Sequence, residues 1–145
     1  MGFFDFFKSK EGANGEDEKA AKAALTKATR NLDIDISIAA HENWKVRLDS
    51  FVEGNSSEAF TASEVACDQT CELGKWIYSD GEANLGKYAA FVDLKAQHKM
   101  FHFTASSVIS LTQAGKSEEA HKLLNSDFEK LSTRVKQRLI DLKGM

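Results

Sequence analysis

With 145 residues, 42% hydrophobic and 28% charged, the chain has the size and balance of one ordinary globular domain that can bury roughly 70% of its unfolded surface. It does not have those of a disordered, collagenous or disulfide-scaffold protein. Nine glycines and no proline argue against an all-β chain, which uses prolines at turns and edges, and toward long helices. A net charge of −3 and a pI near 5.8 exclude the positive field on which nucleic-acid binding depends; two cysteines are too few for a secreted disulfide framework, and no apolar run reaches the roughly 18 residues of a membrane span.

The amino terminus, MGFFDFFKSK, places an apolar cluster broken by Asp5 ahead of its lysines. That reverses the order of a secretory signal, and Phe6 stands where a myristoylation pattern needs serine or threonine, so a cytoplasmic address is expected. Phe3, Phe4, Phe6 and Phe7 are followed by SKEGANGED, which reads as a flexible linker. Residues 1–16 are therefore expected to be a tail and 17–145 the folded body. From Asp17 to Val52 the apolar positions Ala21, Ala24, Leu25, Ala28, Leu32, Ile38, Leu48 and Val52 fall on one helix face, which predicts a single long helix. Leu32, Ile34, Ile36 and Ile38 alternate as a strand would, but no turn signal separates them from the helical composition that follows.

Gly54 ends this element, and a second helix is expected over 62–78, capped by Thr61 or Ser63. SDGEANLG at 79–86 reads as a loop. A third helix over 87–114 carries Tyr88, Phe91, Leu94, Ala105, Val108 and Leu111, with Gly115 at its C′ position. A fourth, from Ser117, carries Leu124, Phe128, Leu131, Val135 and Leu142 in a heptad-like seam, with Leu139 one step off. Four amphipathic helices joined by short connections make an all-α four-helix bundle, and the seam suggests a homodimer.

The soft-ligand inventory is His41, His98, His102, His121, Cys67 and Cys71. His98 and His102, four residues apart on a helix, project from one face and can share a metal. His41 and Cys71 sit among apolar residues, where imidazoles and thiols need partners. Three nitrogens and one sulfur from three helices would be a closed tetrahedral set suited to zinc.

HENW at 41–44, CELGKWIYSDG at 71–81 and HKMFH at 98–102, with gaps of 30 and 27 residues from His41 to Cys71 to His98, resemble the chemoreceptor zinc-binding domain, known as CZB, over about residues 32–112. The resemblance implies a bacterial four-helix bundle, usually dimeric, that holds zinc through His41, Cys71, His98 and His102. It also implies a sensory role, reporting zinc availability or oxidants such as hypochlorous acid to a signalling partner of the chemoreceptor or diguanylate cyclase type. Met145 ends the chain without an output module, so a stand-alone protein is expected.

A closed Cys/His site leaves no position for substrate, which disfavours catalysis. The alternative is a three-histidine metalloenzyme with Cys71 off the metal and Glu42, Glu72 or Asp68 as general base. A di-iron centre would need Glu-x-x-His pairs that the ligand segments lack, and a plain structural bundle without metal remains a further alternative. Cys67, one helical turn before Cys71, reads as a small buried core residue rather than a resolving thiol; Trp44 and Trp76 read as an apolar shell around the metal, Gly74 as a point of close approach or a kink, and His121 as exposed. The phenylalanines of residues 1–10 suggest either a segment that folds back onto its own bundle or stays disordered, or one that docks on a partner protein through Phe3, Phe4 and Phe7. Contact with a membrane is disfavoured, because Lys8 and Lys10 attract anionic headgroups weakly.

Overall fold

A computed structural model describes residues 15–143; the phenylalanine-rich segment and most of the linker expected ahead of the fold lie outside the described residues. Among the described residues every regular element is helical, so the strand reading of 32–38 falls. None of the helices is long and apolar enough to cross a membrane.

The expected single helix over 17–52 is two helices, α1 (Gly15–Ala28) and α2 (Ile34–Val52), joined by a 3-10 turn at Thr29–Asn31. Two side chains impose the break. The indole of Trp76 donates to the Ala28 carbonyl at 2.6 Å, occupying the acceptor that Leu32 would use in a continuous helix, and Leu32 N turns to Thr29 O at 3.2 Å instead. Asp33 then caps α2, its carboxylate accepting from Ile36 N at 3.0 Å. Ser37, His41, Leu48 and Val52 form the buried face of α2.

Gly54, at φ 78°, closes α2 in the left-handed region, with Asn55 N bonded to Ser50 O. The connection 54–61 leads into the short helix α3 (Ala62–Ala66), after which the chain leaves helical geometry from Cys67 to Cys71. The expected helix 62–78 is thus interrupted just where it carries its cysteines. α4 (Glu72–Trp76) runs through a π-turn at Ile77–Gly81 into α5 (Glu82–Leu85), so the loop expected at 79–86 is mostly helix. Ser79 Oγ donates to Lys75 O at 2.6 Å and Asn84 Nδ2 to Asp80 O at 2.8 Å, which keeps these turn-forming residues on the helix surface. Gly81 serves packing: a Cβ there would lie 2.7 Å from Phe91 Cε1.

α6 (Ala89–Gln113) is the central strut, with Phe91, Leu94, His98, Phe101, His102, Ala105, Val108 and Ile109 buried. Gly115, at φ 77°, ends it as expected, Lys116 N reaching Leu111 O at 2.8 Å. α7 (Ser117–Leu123) continues through a π-turn at Leu124–Phe128 into α8 (Glu129–Lys143). The seam residues Leu124, Phe128, Leu131, Val135, Leu139 and Leu142 are all buried, in elements that pack on α2 and α6 of the same chain. Leu139 joins the seam because Leu131, Val135, Leu139 and Leu142 all lie in the regular helix α8, where steps of four, four and three residues keep to one face. The stripe that suggested a homodimer is therefore interior to one chain.

Candidate metal centre

Three segments meet at one point. α6 presents His98 and His102 from consecutive turns, α2 presents His41 on its buried face, and the turn before α4 presents Cys71 at the N-cap position. One ligand atom from each of the four residues lies within 4.8 Å of all the others. Cys71 Sγ is 3.3 Å from His98 Nε2 and 3.6 Å from His102 Nε2. Tetrahedral zinc with Zn–S of about 2.3 Å and Zn–N of about 2.05 Å sets sulfur and nitrogen about 3.5 Å apart, so these two edges already have the length a metal would demand.

The outer atoms of the rings fit the same reading. His41 Nδ1 donates to Ser37 O at 2.8 Å and His102 Nδ1 donates to Val65 O at 3.0 Å, which fixes each ring and leaves Nε2 as the free lone pair, the arrangement usual for metal-binding imidazoles. His41 Nε2 is buried with no hydrogen-bond partner, a costly state for a polar atom unless something outside the protein satisfies it. His98 Nδ1 is likewise without a partner, so packing against the His41 and His102 rings, and not a hydrogen bond to the backbone, sets the His98 ring.

The charges point the same way. Burial lowers the His41 pKa to about 4 and the His98 pKa to about 2, with the neighbouring His102 adding to the shift at His98, and burial also lowers that of His102. All three imidazoles are thereby neutral, as ligands must be. Burial pushes the Cys71 thiol up, against the smaller opposing effect of backbone N–H groups, of which Gly74 N approaches the sulfur at 3.3 Å. Without metal Cys71 is a protonated thiol, and a metal must displace that proton.

The turn that carries Cys71 is held from two sides. Asp68, 6% exposed, accepts a 2.7 Å hydrogen bond from the Tyr78 hydroxyl, and burial, reinforced by this contact, raises the Tyr78 pKa to about 12. The Asp68 carbonyl rests on Gly74, where a Cβ would stand 1.8 Å from that oxygen. Gly74 is a point of close approach, as expected, but the partner is a loop backbone and not another helix.

Residues 41–109 match the family model of the chemoreceptor zinc-binding domain. This segment is a chemoreceptor zinc-binding domain. It holds all four clustered residues, zinc is the metal of that domain, and the domain is a sensory one rather than a known catalytic family. The chain has no significant match among curated proteins or solved structures.

Several neighbours of the zinc-binding domain's cluster differ from expectation. Cys67 is not a helical turn from Cys71 on one face, nor a core residue: it is the C-cap of α3, half-buried, across a non-helical turn. Trp44 does wall the cluster, its ring 6.0 Å from that of His102. Trp76 packs on Phe91 at 6.0 Å and bonds Ala28, so it joins α1 to α4. His121 is half-exposed and pairs with Glu53 at 3.1 Å. Sequence reasoning missed Asp68 and Tyr78 as the brace of the cysteine turn; ten residues separate them, and no local pattern links an aspartate in a turn to a tyrosine beyond the next helix start.

Proposed function

We propose that the chain is a zinc-dependent sensory protein in which His41, Cys71, His98 and His102 are the four zinc ligands. The convergence of those four ligand atoms within 4.8 Å carries the reading, inside a segment whose family binds zinc. Zinc bound there keeps Cys71 as thiolate, the one redox-active atom of the set. Loss of zinc, or oxidation of the sulfur by an agent such as hypochlorous acid, removes the same tie between the turn and α6. Both stimuli then free the turn and α4 to repack, a change of state that a signalling partner can read.

The output partner in this reading is of the chemoreceptor or diguanylate cyclase type, met in the cytoplasm through residues 1–10, by a four-helix bundle that works as a homodimer and is not an enzyme. The three-histidine enzyme fits less well. Cys71 Sγ lies inside the cluster, Glu42 and Glu72 are exposed, and Asp68 is engaged by Tyr78.

Purified protein should contain about one zinc per chain with a metal–sulfur distance near 2.3 Å by X-ray absorption. Protein that stays metal-free after zinc addition, or zinc without sulfur in its shell, would overturn the assignment. Pull-down with and without a zinc chelator tests the partner, deletion of residues 1–10 tests the docking segment, and light scattering tests the dimer.

A further inference from the structure

His41, His98 and His102 are each no more than 2% exposed, whereas Cys71 is only half-buried. The opening that reaches the sulfur is a cleft of about 480 Å³ whose lining includes Trp44, Arg47, Phe60, Cys67, Cys71 and His102. Two of the four cluster residues are on its wall, and the other two are not. Its outer wall is the connection 54–61, whose residues Glu58, Ala59 and Thr61 are exposed.

This wall is tied to α2 by one forked contact. Arg47 Nε stands 3.1 Å from both carboxylate oxygens of Glu58, and Arg47 Nη2 stands 2.5 Å from Oε1. The same guanidinium lies 4.2 Å over the Trp44 ring and 5.2 Å from that of Phe60, while Trp44 and Phe60 pack at 5.9 Å. One side chain therefore clamps both the wall and the aromatic pair at the mouth of the cleft. Gln113 Nε2 adds a bond to Phe60 O at 3.0 Å. An exposed forked pair of this kind is weak enough to open and specific enough to close again in one geometry.

We infer that this cleft is the route by which zinc and sulfur-directed reagents reach the cluster, and that the Arg47–Glu58 pair is the latch on its outer wall. The inference rests on the zinc reading of the cluster and adds a kinetic role for residues that touch none of the four ligands' metal-facing atoms. A latch on a path changes how fast a metal enters and leaves and does not change how tightly it is held.

The test uses the full chain and Glu58→Gln, with Glu82→Gln as a control that breaks the Lys95–Glu82 pair away from the cleft. Zinc uptake by metal-free protein and zinc release to excess 4-(2-pyridylazo)resorcinol should both accelerate by the same factor, about two- to fivefold for an exposed pair of this strength. The dissociation constant should stay constant, and the Glu82→Gln rates should match the wild type. Raising sodium chloride roughly tenfold, to about 0.5 M, should speed the wild type toward the variant, because salt screens an exposed pair. Alkylation of Cys71 by iodoacetamide in the metal-free chain should accelerate by the same factor, a readout that needs no zinc. Faster release with unchanged uptake would show a weakened site and overturn the latch, as would rates and alkylation that do not move. A wild-type chain that takes up no zinc would overturn the zinc reading itself, and the alkylation rates would still decide the latch.

Discussion

The two sides of the metal cluster are built on opposite plans. On the α6 side, His98 and His102 stand on the 25-residue central helix, wholly buried, with ring positions set by helix geometry and core packing. On the other side, Cys71 stands on a five-residue non-helical turn, half-buried, held by a hydrogen bond to Tyr78 through Asp68 and by the seat of the Asp68 carbonyl on Gly74. The rigid side supplies imidazoles that burial has already made neutral. The braced side supplies the only one of the four that must lose a proton, and its sulfur lines the open cleft. The difference teaches that one closed site can rest on two kinds of support, a long buried helix for its paired imidazoles and a short turn braced by distant side chains for its thiol.

The most severe way to break that division is to remove a ligand from the rigid side. His102→Ala should weaken zinc binding by at least about a hundredfold, since loss of a mere outer partner of a ligand already costs about 10–100-fold; competition titration with a chelator measures it. Retained affinity would mean that α6 does not hold the metal.

Acid acts on the buried imidazoles, His98 of α6 and His41 of α2. In the folded metal-free chain, burial lowers the pKa of His41 to about 4 and of His98 to about 2, against about 6.5 when unfolded. The unfolded state therefore takes up protons first as pH falls below about 6.5. Stability is present above that value and declines below it, by up to roughly 1.4 kcal/mol per pH unit for each group until its folded pKa is reached. Denaturant unfolding of metal-free protein at pH 7.5, 6.5 and 5.5 should show the loss begin between the last two. Zinc binding near neutral pH should release about one proton, from Cys71 alone, because the imidazoles are neutral and burial keeps the thiol protonated. Calorimetry in buffers of different ionisation enthalpy counts it, and a release near zero would contradict the raised thiol pKa.

On the braced side, Gly74→Ala forces a Cβ to 1.8 Å from the Asp68 carbonyl, a backbone atom that cannot swing aside. The turn must shift, at a cost of about 1–3 kcal/mol, and Cys71 shifts with it. Both melting temperature and zinc affinity should fall. A fall in stability alone would separate the turn from the metal.

The smallest effect sharpens the boundary of the site. Trp76→Phe keeps an aromatic ring but loses the bond to Ala28 O, for about 1 kcal/mol of stability. Zinc affinity should be unchanged, since Trp76 braces α1 and not the cluster. Thermal melts of metal-free protein beside a zinc titration would show whether the effects separate.

The amino-acid sequence by itself determined the all-helical class, the close of α2 at Gly54 and of α6 at Gly115, the buried seam from Leu124 to Leu142, and the pairing of His98 with His102. Each of these depends on periodicity or on a left-handed glycine, which are local properties. It also contained the four residues of the cluster, because their segments carry the zinc-binding family's pattern. Only the tertiary structure decided where the helices break. The periodicity of residues 17–52 is continuous, and the break comes from the Trp76 indole, 48 residues away from the Ala28 carbonyl it occupies. The same holds for 62–78, where Asp68 is claimed by Tyr78 and its carbonyl by Gly74, so Cys71 becomes a cap on a turn and Cys67 turns to the cleft. Hydrophobic spacing shows which face of a segment is buried, but a hydrogen bond made from a distant element decides whether the segment can stay in one piece.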